Sequence, residues 1–114
     1  VGHIHAHGLS CPVTDVQEAT AIQNVFGERN SPVPVVAAKS FFGNLGAGSG
    51  TIELISSLLA LKHDRLFPVL NYETPDPDCP LNVVVSSDTL PGESVLNLSV
   101  SPQAQASSML IKRC

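Results

Sequence analysis

Three histidines at alternate positions, His3, His5 and His7, form the densest cluster of reactive side chains, and Lys39, Asn44 and Glu53 follow at longer intervals. Residues two apart in a strand face one side at a spacing of about 6.6 Å. A strand over His3-Ile-His-Ala-His7 would therefore line up three imidazoles, a set able to seat zinc or another divalent metal. No carboxylate in a comparable setting completes such a site, and a metallohydrolase of the barrel type needs roughly 250 residues. For His3 and His5 the plainer reading is polar residues tolerated on a partly covered strand. His7 differs because Gly8 follows it and lets the backbone turn sharply. It stands where a strand stops, at the sheet end where α/β proteins usually build sites. Ala38-Lys-Ser-Phe-Phe-Gly-Asn44 closes a second strand and leads through glycines into a helix carrying Glu53. Lys39, Asn44 and Glu53 thus share that end with His7. In apolar surroundings Lys39 and Glu53 are buried only as a pair, one that either fixes the loop or serves chemistry.

The elements that must hold these residues are legible in outline. Val1–Ala6 reads as a short strand ending at Gly8. Asp15-Val-Gln-Glu18 has capping-box spacing, with Gly27 at the far end of the helix it opens. Val16, Ala19, Ile22, Val25 and Phe26 give that helix one buried face. Pro32–Ala38 is an apolar run of strand length with its prolines at the start. After the glycine-rich stretch 43–50, a helix from about Thr51 to His63 carries Ile52, Leu54, Ile55, Leu58, Leu59 and Leu61 around most of its circumference, so it is expected to be buried on nearly all sides. Residues 64–93 form a proline-rich excursion, with a short edge strand within Leu81–Val85. Ser94–Ser101 and Ala106–Lys112 alternate as a closing hairpin. The order β-α-β-α-β-β predicts one α/β domain over residues 1–114, with a mixed sheet packed against helices.

Composition narrows the function classes. The chain of 114 residues is 43% apolar and only 14% charged, with six Lys and Arg against ten Asp and Glu, a net charge of −4. An ordinary soluble domain carries about 25% charged residues. No basic cluster offers a surface to nucleic acid or an anionic membrane, and the apolar run Leu54–Leu61 falls short of the ~20 residues that span a bilayer. The low charge implies surface that other protein covers. The first residue is Val, as expected of a fragment or a processed product. Cys11, Cys79 and Cys114 lack metal-ligand spacing, so the expectation is free thiols in a reducing, cytoplasmic compartment, with a disulfide pair as the alternative.

Several stretches carry a family resemblance. They are Ala6-His-Gly-Leu-Ser-Cys-Pro-Val-Thr-Asp15 followed by Glu18, Val25-Phe-Gly27, and Lys39-Ser40 with Gly43, Gly50 and Glu53. Asn71 with Pro75-Asp-Pro-Asp-Cys79, and the terminal Leu110-Ile-Lys-Arg113, complete the set. In order and spacing they resemble the C-terminal half of a β-ketoacyl-(acyl carrier protein) synthase of the thiolase-like superfamily, almost end to end. The resemblance implies a thiolase-like half-fold and an acyltransferase of fatty acid or polyketide synthesis. Its reaction is a decarboxylative Claisen condensation, in which a cysteine on the first half of the fold takes the acyl chain. His7 falls on the first of two histidines that handle malonyl decarboxylation, and Lys39 and Glu53 on the family's buried Lys–Glu pair.

Three departures accompany the match. Asn44 replaces the second histidine; it donates a hydrogen bond but does not titrate, and a Cys-His-Asn set resembles that of chain-initiating synthases and plant polyketide synthases. Val100–Ala106 has lost the glycines and phenylalanines of the loop that gates the acyl pocket. Cys11 aligns beside the His-Gly motif rather than on the nucleophile, and a small, partly buried thiol is the expectation there. The resemblance implies no cofactor. The implied partners are the N-terminal half of the same fold, an acyl carrier protein, and a second subunit in a homo- or heterodimer, with no nucleic acid and no membrane. The covered apolar face is expected beside His7 and Asn44. An isolated domain of this kind is expected to be inert, and a degenerate partner subunit of the chain-length-factor type is the alternative to an active synthase.

Overall fold

The computed structural model describes residues 1–114. Five strands form one sheet in the order β3-β2-β1-β4-β5, built from β1 (His3–His5), β2 (Pro34–Val36), β3 (Asn82–Val83), β4 (Ser94–Val100) and β5 (Ala106–Lys112). The first four run parallel, and β5 returns antiparallel to β4 with Ser94 opposite Lys112 and Val100 opposite Ala106. The sheet is mixed, as expected, and β3 is the short edge strand expected within Leu81–Val85. Pro34 opens β2, where its missing N–H costs the ladder least. No helix is long and apolar enough to cross a membrane.

The two faces of the sheet differ in chemistry. On one, Ile4 and Val35 pack with Ile22 of α1 (Pro12–Phe26) and with Val33, while Leu96 and Leu98 lie against the same cluster. On the other, His3 and His5 are completely buried with Val36 and Val95, beneath α3 (Ser49–Lys62). A four-residue helix, α2 (Lys39–Phe42), and a single 3-10 turn at Gly46–Gly48 join β2 to α3.

Four local expectations need correction. α1 begins at Pro12, not Asp15, because proline's fixed φ and missing N–H suit the first helical position. Asp15 and Glu18 make no capping box: Asp15 accepts from the Leu9 N–H, and Glu18 reaches the backbone of His7 and Gly8. Gly27 ends the helix in an ordinary right-handed conformation, with φ −66°. The fourth correction is the largest. α3 buries Ser49, Glu53, Ser57, Ala60 and Leu61, while Ile55 and Leu59 are 46% and 48% exposed. The small and polar stripe faces the sheet because His5 and Lys39 supply partners for Ser57 and Glu53, which leaves the apolar stripe outward.

The start of β1 is pinned by a close backbone crossing. A Cβ on Gly92, whose φ is +68°, would lie 2.7 Å from the Cα of Gly2. Gly92→Ala is expected to cost about 2 kcal/mol from overpacking and left-handed strain, read as a lower urea midpoint. A variant within about 0.5 kcal/mol of the parent, the range of ordinary surface substitutions, would show that the crossing relaxes.

Candidate active site

At the carboxyl end of β1 the chain leaves the sheet through His7 and Gly8. Gly8 has φ +52°, and a Cβ there would lie 2.9 Å from the Cβ of Ala37, so glycine is required on both counts. Glu18, in the second turn of α1, accepts the His7 N–H at 2.7 Å and the Gly8 N–H at 3.0 Å, one on each carboxylate oxygen. Charge-assisted bonds of this kind are among the stronger ones in proteins, and they fix the backbone from which His7 projects. Sequence reading gave Glu18 a capping role and missed this one, because nothing local distinguishes a carboxylate aimed along its helix from one aimed at a preceding loop.

Lys39 is buried at the start of α2. Its ammonium meets three acceptors: His7 Nδ1 at 3.2 Å, the His7 carbonyl at 2.7 Å, and the Glu53 carboxylate. An ammonium has three protons and no lone pair, so all three are used and the His7 Nδ1 must accept. The ring proton of His7 therefore sits on Nε2. Glu53 is fully buried on α3, and its second oxygen, Oε2, has no hydrogen-bond partner. The Lys39–Glu53 pair thus joins α2 to α3 directly behind His7.

Asn44 lies in the loop between α2 and the 3-10 turn. Its Oδ1 accepts from the Gly46 N–H at 3.0 Å and from the Ser49 hydroxyl at 3.1 Å. With the oxygen tied into its own loop, the Asn44 amide N–H groups are the ones free to donate outward. Leu9 beside Gly8, and Phe41 and Leu45 around Asn44, are exposed apolar residues. At the same sheet end, the 101–105 turn closes on itself: Ser101 N–H bonds the Gln105 carbonyl, Ala104 N–H bonds the Ser101 carbonyl, and Ser101 Oγ accepts from the amides of Gln103 and Gln105.

His3, His5 and His7 do not converge on a common point, which corrects the metal alternative. His3 uses Nδ1 on the Pro91 carbonyl at 2.9 Å, His5 binds Ser57 and Ala38, and His7 lies beyond the strand against Lys39. No three His, Cys, Asp or Glu side chains are grouped to hold a metal ion. The physical reason is that both imidazoles are buried and turned to separate partners: His3 to the Pro91 carbonyl, and His5 to Ser57 of α3 and the Ala38 N–H. Burial pushes the His3 pKa down against the opposing effect of its bond to Pro91. His5 is held neutral by burial, with smaller contributions from His3 and Lys39, at a pKa of about 3.

All three cysteines are free thiols. Cys11 flanks the start of α1, where hydrogen bonds from Thr14 and the Val13 amide lower its pKa, so it is more acidic than an inert buried thiol. Burial first, and then the nearby carboxylates Asp76, Asp15 and Asp78, raise that of Cys79. A cleft of about 340 Å³ lined by Ile22, Phe26, Arg29 and Val33 contains none of the candidate residues. Arg29 bonds the Val1 carbonyl, which places this cleft at the opposite end of the strands.

The family model for the β-ketoacyl synthase C-terminal domain matches residues 1–73. The 3-oxoacyl-[acyl-carrier-protein] synthase 2 of Synechocystis sp. is 39% identical over 94 residues, covering 82% of this chain and 21% of that protein. The chain therefore spans about a fifth of the length of the curated relatives it matches. Among solved structures, the ishigamide ketosynthase/chain length factor superposes over the whole chain and 28% of its own, with TM-score 0.91 and 29% identity. A type II polyketide ketosynthase, solved in complex with its acyl carrier protein and bound to the hexaketide, does so with TM-score 0.92 and 31% identity, again over 100% of this chain and 28% of its own.

Proposed function

The chain belongs to the β-ketoacyl synthase family, as its C-terminal domain, and from that premise we propose that His7 and Asn44 supply the hydrogen-bond-donor side of a decarboxylative Claisen condensation between carrier-bound thioesters. In the first step the bond between the α-carbon and the carboxylate of a malonyl thioester breaks and CO2 leaves. The electron pair moves into an enolate whose charge gathers on the thioester oxygen. Donors aimed at that oxygen lower the barrier. The enolate carbon then attacks an acyl thioester on a cysteine, a carbon–carbon bond forms, and the cysteine thiolate leaves. None of the 114 residues takes that cysteine's part in this reading; the remainder of a protein of the relatives' length supplies it.

The observation that carries the reading is the Lys39 Nζ contact with His7 Nδ1 at 3.2 Å. It leaves His7 with its proton on Nε2, a hydrogen-bond donor rather than a base. Asn44, with its oxygen tied down, adds a second donor that does not titrate. The exposed residues Leu9, Phe41 and Leu45, and the outward stripe of α3, support a covering N-terminal half of the same fold. The likeness to ketosynthases solved with a carrier protein or a chain length factor supports those as further partners, and the free thiols suit a cytoplasmic setting. The test uses the full chain, its His7→Ala variant and the isolated 114-residue domain with malonyl carrier protein. His7→Ala is expected to lower decarboxylation by about 10²–10³-fold, and the isolated domain to give no turnover. Turnover by the isolated domain overturns the proposal.

A degenerate partner subunit of the chain-length-factor type is favoured instead by the self-closed 101–105 turn, whose amides are engaged within the turn. The residue at the nucleophile position in the rest of the protein separates the two: cysteine for a synthase, Gln, Ala or Gly for a partner.

A further inference from the structure

The His-x-His pair of β1 is left unused by the proposed chemistry, yet His5 is fully buried and both of its ring nitrogens are engaged. The Ala38 N–H donates to His5 Nε2 at 3.1 Å, so Nε2 carries the lone pair. The ring proton of a neutral imidazole is then on Nδ1, which donates to Ser57 Oγ at 2.7 Å. Ala38 immediately precedes Lys39. Ser57 stands one turn after Glu53 on the same buried stripe of α3. The imidazole therefore spans the two backbone segments that carry the Lys39–Glu53 pair, and Phe67 packs against its ring with centroids 5.8 Å apart.

We propose that His5 is a positioning residue for the candidate site: a cross-brace from Ala38 to Ser57 that sets where Lys39 meets His7 Nδ1 and so keeps His7 a donor at Nε2. No shorter polar side chain reaches both partners from β1. A serine or asparagine at position 5 spans one of them, and a phenylalanine fills the space while bonding neither. A glutamine supplies an acceptor near the place of Nε2 and restores the Ala38 contact. His5 touches no reacting atom; its effect passes through Lys39.

This inference rests on the donor role proposed for His7, and the experiment separates the two. The full chain is labelled with 15N-histidine, and the ring nitrogens of His7 are observed in the parent and in His5→Phe, His5→Gln and Ser57→Ala. In the parent, His7 Nδ1 is expected to resonate as a hydrogen-bonded acceptor and Nε2 to carry the proton. In His5→Phe the Nδ1 signal should move toward that of a free imidazole, Ser57→Ala should move it part of the way, and His5→Gln should recover most of the parent value. Malonyl decarboxylation should fall roughly tenfold in kcat in His5→Phe, the scale of a modest misplacement at a reacting centre, with KM within about twofold, as for a group that leaves substrate binding alone. A parent protein with the proton on His7 Nδ1 rejects the donor reading itself. A parent with the proton on Nε2, together with unmoved Nδ1 signals in folded His5→Phe or Ser57→Ala, rejects the brace. Because Ser57→Ala removes one hydroxyl from a helix, it tests the brace even where His5→Phe does not fold.

Discussion

Replacing Lys39 with methionine is expected to damage the protein twice over. The Glu53 carboxylate has Lys39 as its hydrogen-bond partner through one oxygen and nothing on the other. Removing the ammonium leaves a buried charge with no compensation, a loss of about 3–5 kcal/mol, read as a fall in urea midpoint. The second loss is chemical. Without a donor at Nδ1, the His7 ring is free to rotate and to exchange its proton between nitrogens, and the Lys39 bond to the His7 carbonyl is gone as well. Malonyl decarboxylation by the full chain is expected to fall on the order of 10²-fold. The double variant Lys39→Met, Glu53→Gln separates the two effects: it should recover more than half of the stability while the rate stays low. A double variant that recovers the rate as well would mean that the pair serves only to hold the loop. A single variant as stable as the parent would mean that Glu53 is not charged in the fold.

The domain should also lose stability as pH falls from about 6.5, well before carboxylates begin to take up protons. His5 titrates at about 3 in the folded chain, chiefly because it is buried, and His3 is lowered in the same direction. The unfolded chain therefore binds these protons first. Stability is complete above the ordinary histidine value, and it declines as pH drops through the window between that value and about 3. At about 1.4 kcal/mol per unit, His5 alone removes about 2.5 kcal/mol between roughly pH 6.5 and 4.5. The groups around it point the same way, since His3 and the Lys39 ammonium both oppose a further positive charge. Urea midpoints measured from pH 7.5 to 5 check the slope, and His5→Gln should flatten it. A midpoint independent of pH across that range would mean that both imidazoles reach water or a proton acceptor in the folded state.

Much of the fold is legible because the deciding signals are local. Ser94–Val100 and Ala106–Lys112, two apolar-bearing runs of strand length around a short turn, pair as the expected hairpin. Pro34 opens β2, and the long apolar helix exists. The start of α1 is less legible although Pro12 marks it, because Asp15 and Glu18 offer a competing cap whose side chains serve the preceding loop. The orientation of α3 could not come from hydropathy alone. Its pattern tells which positions are apolar, whereas the inward stripe is selected by two polar partners from other elements, His5 of β1 and Lys39 of α2. At the site, burial arguments suffice to pair Lys39 with Glu53, since neither is tolerated alone in an apolar interior. The fate of His3 and His5 needed the third dimension: identical spacing serves a metal or a brace, and only the helix packed above them decides which. Glu18 shows the same limit, because its partners are backbone amides that carry no signature in sequence.

The outward apolar stripe of α3 also bears on the order in which such a protein comes together. Hydrogen bonds specify which way the helix sits on its sheet, but they add little net free energy, because water offers the same bonds to the unfolded chain. The larger gain from burying Ile52, Ile55, Leu58 and Leu59 arrives only when something covers them. Orientation and stabilisation are thus divided between two events. In hydrogen-exchange terms, the amides of α3 would open at low cost in the solitary domain and become slow only once its outer face is covered, so the helix that carries Glu53 is also the element whose protection reports that cover.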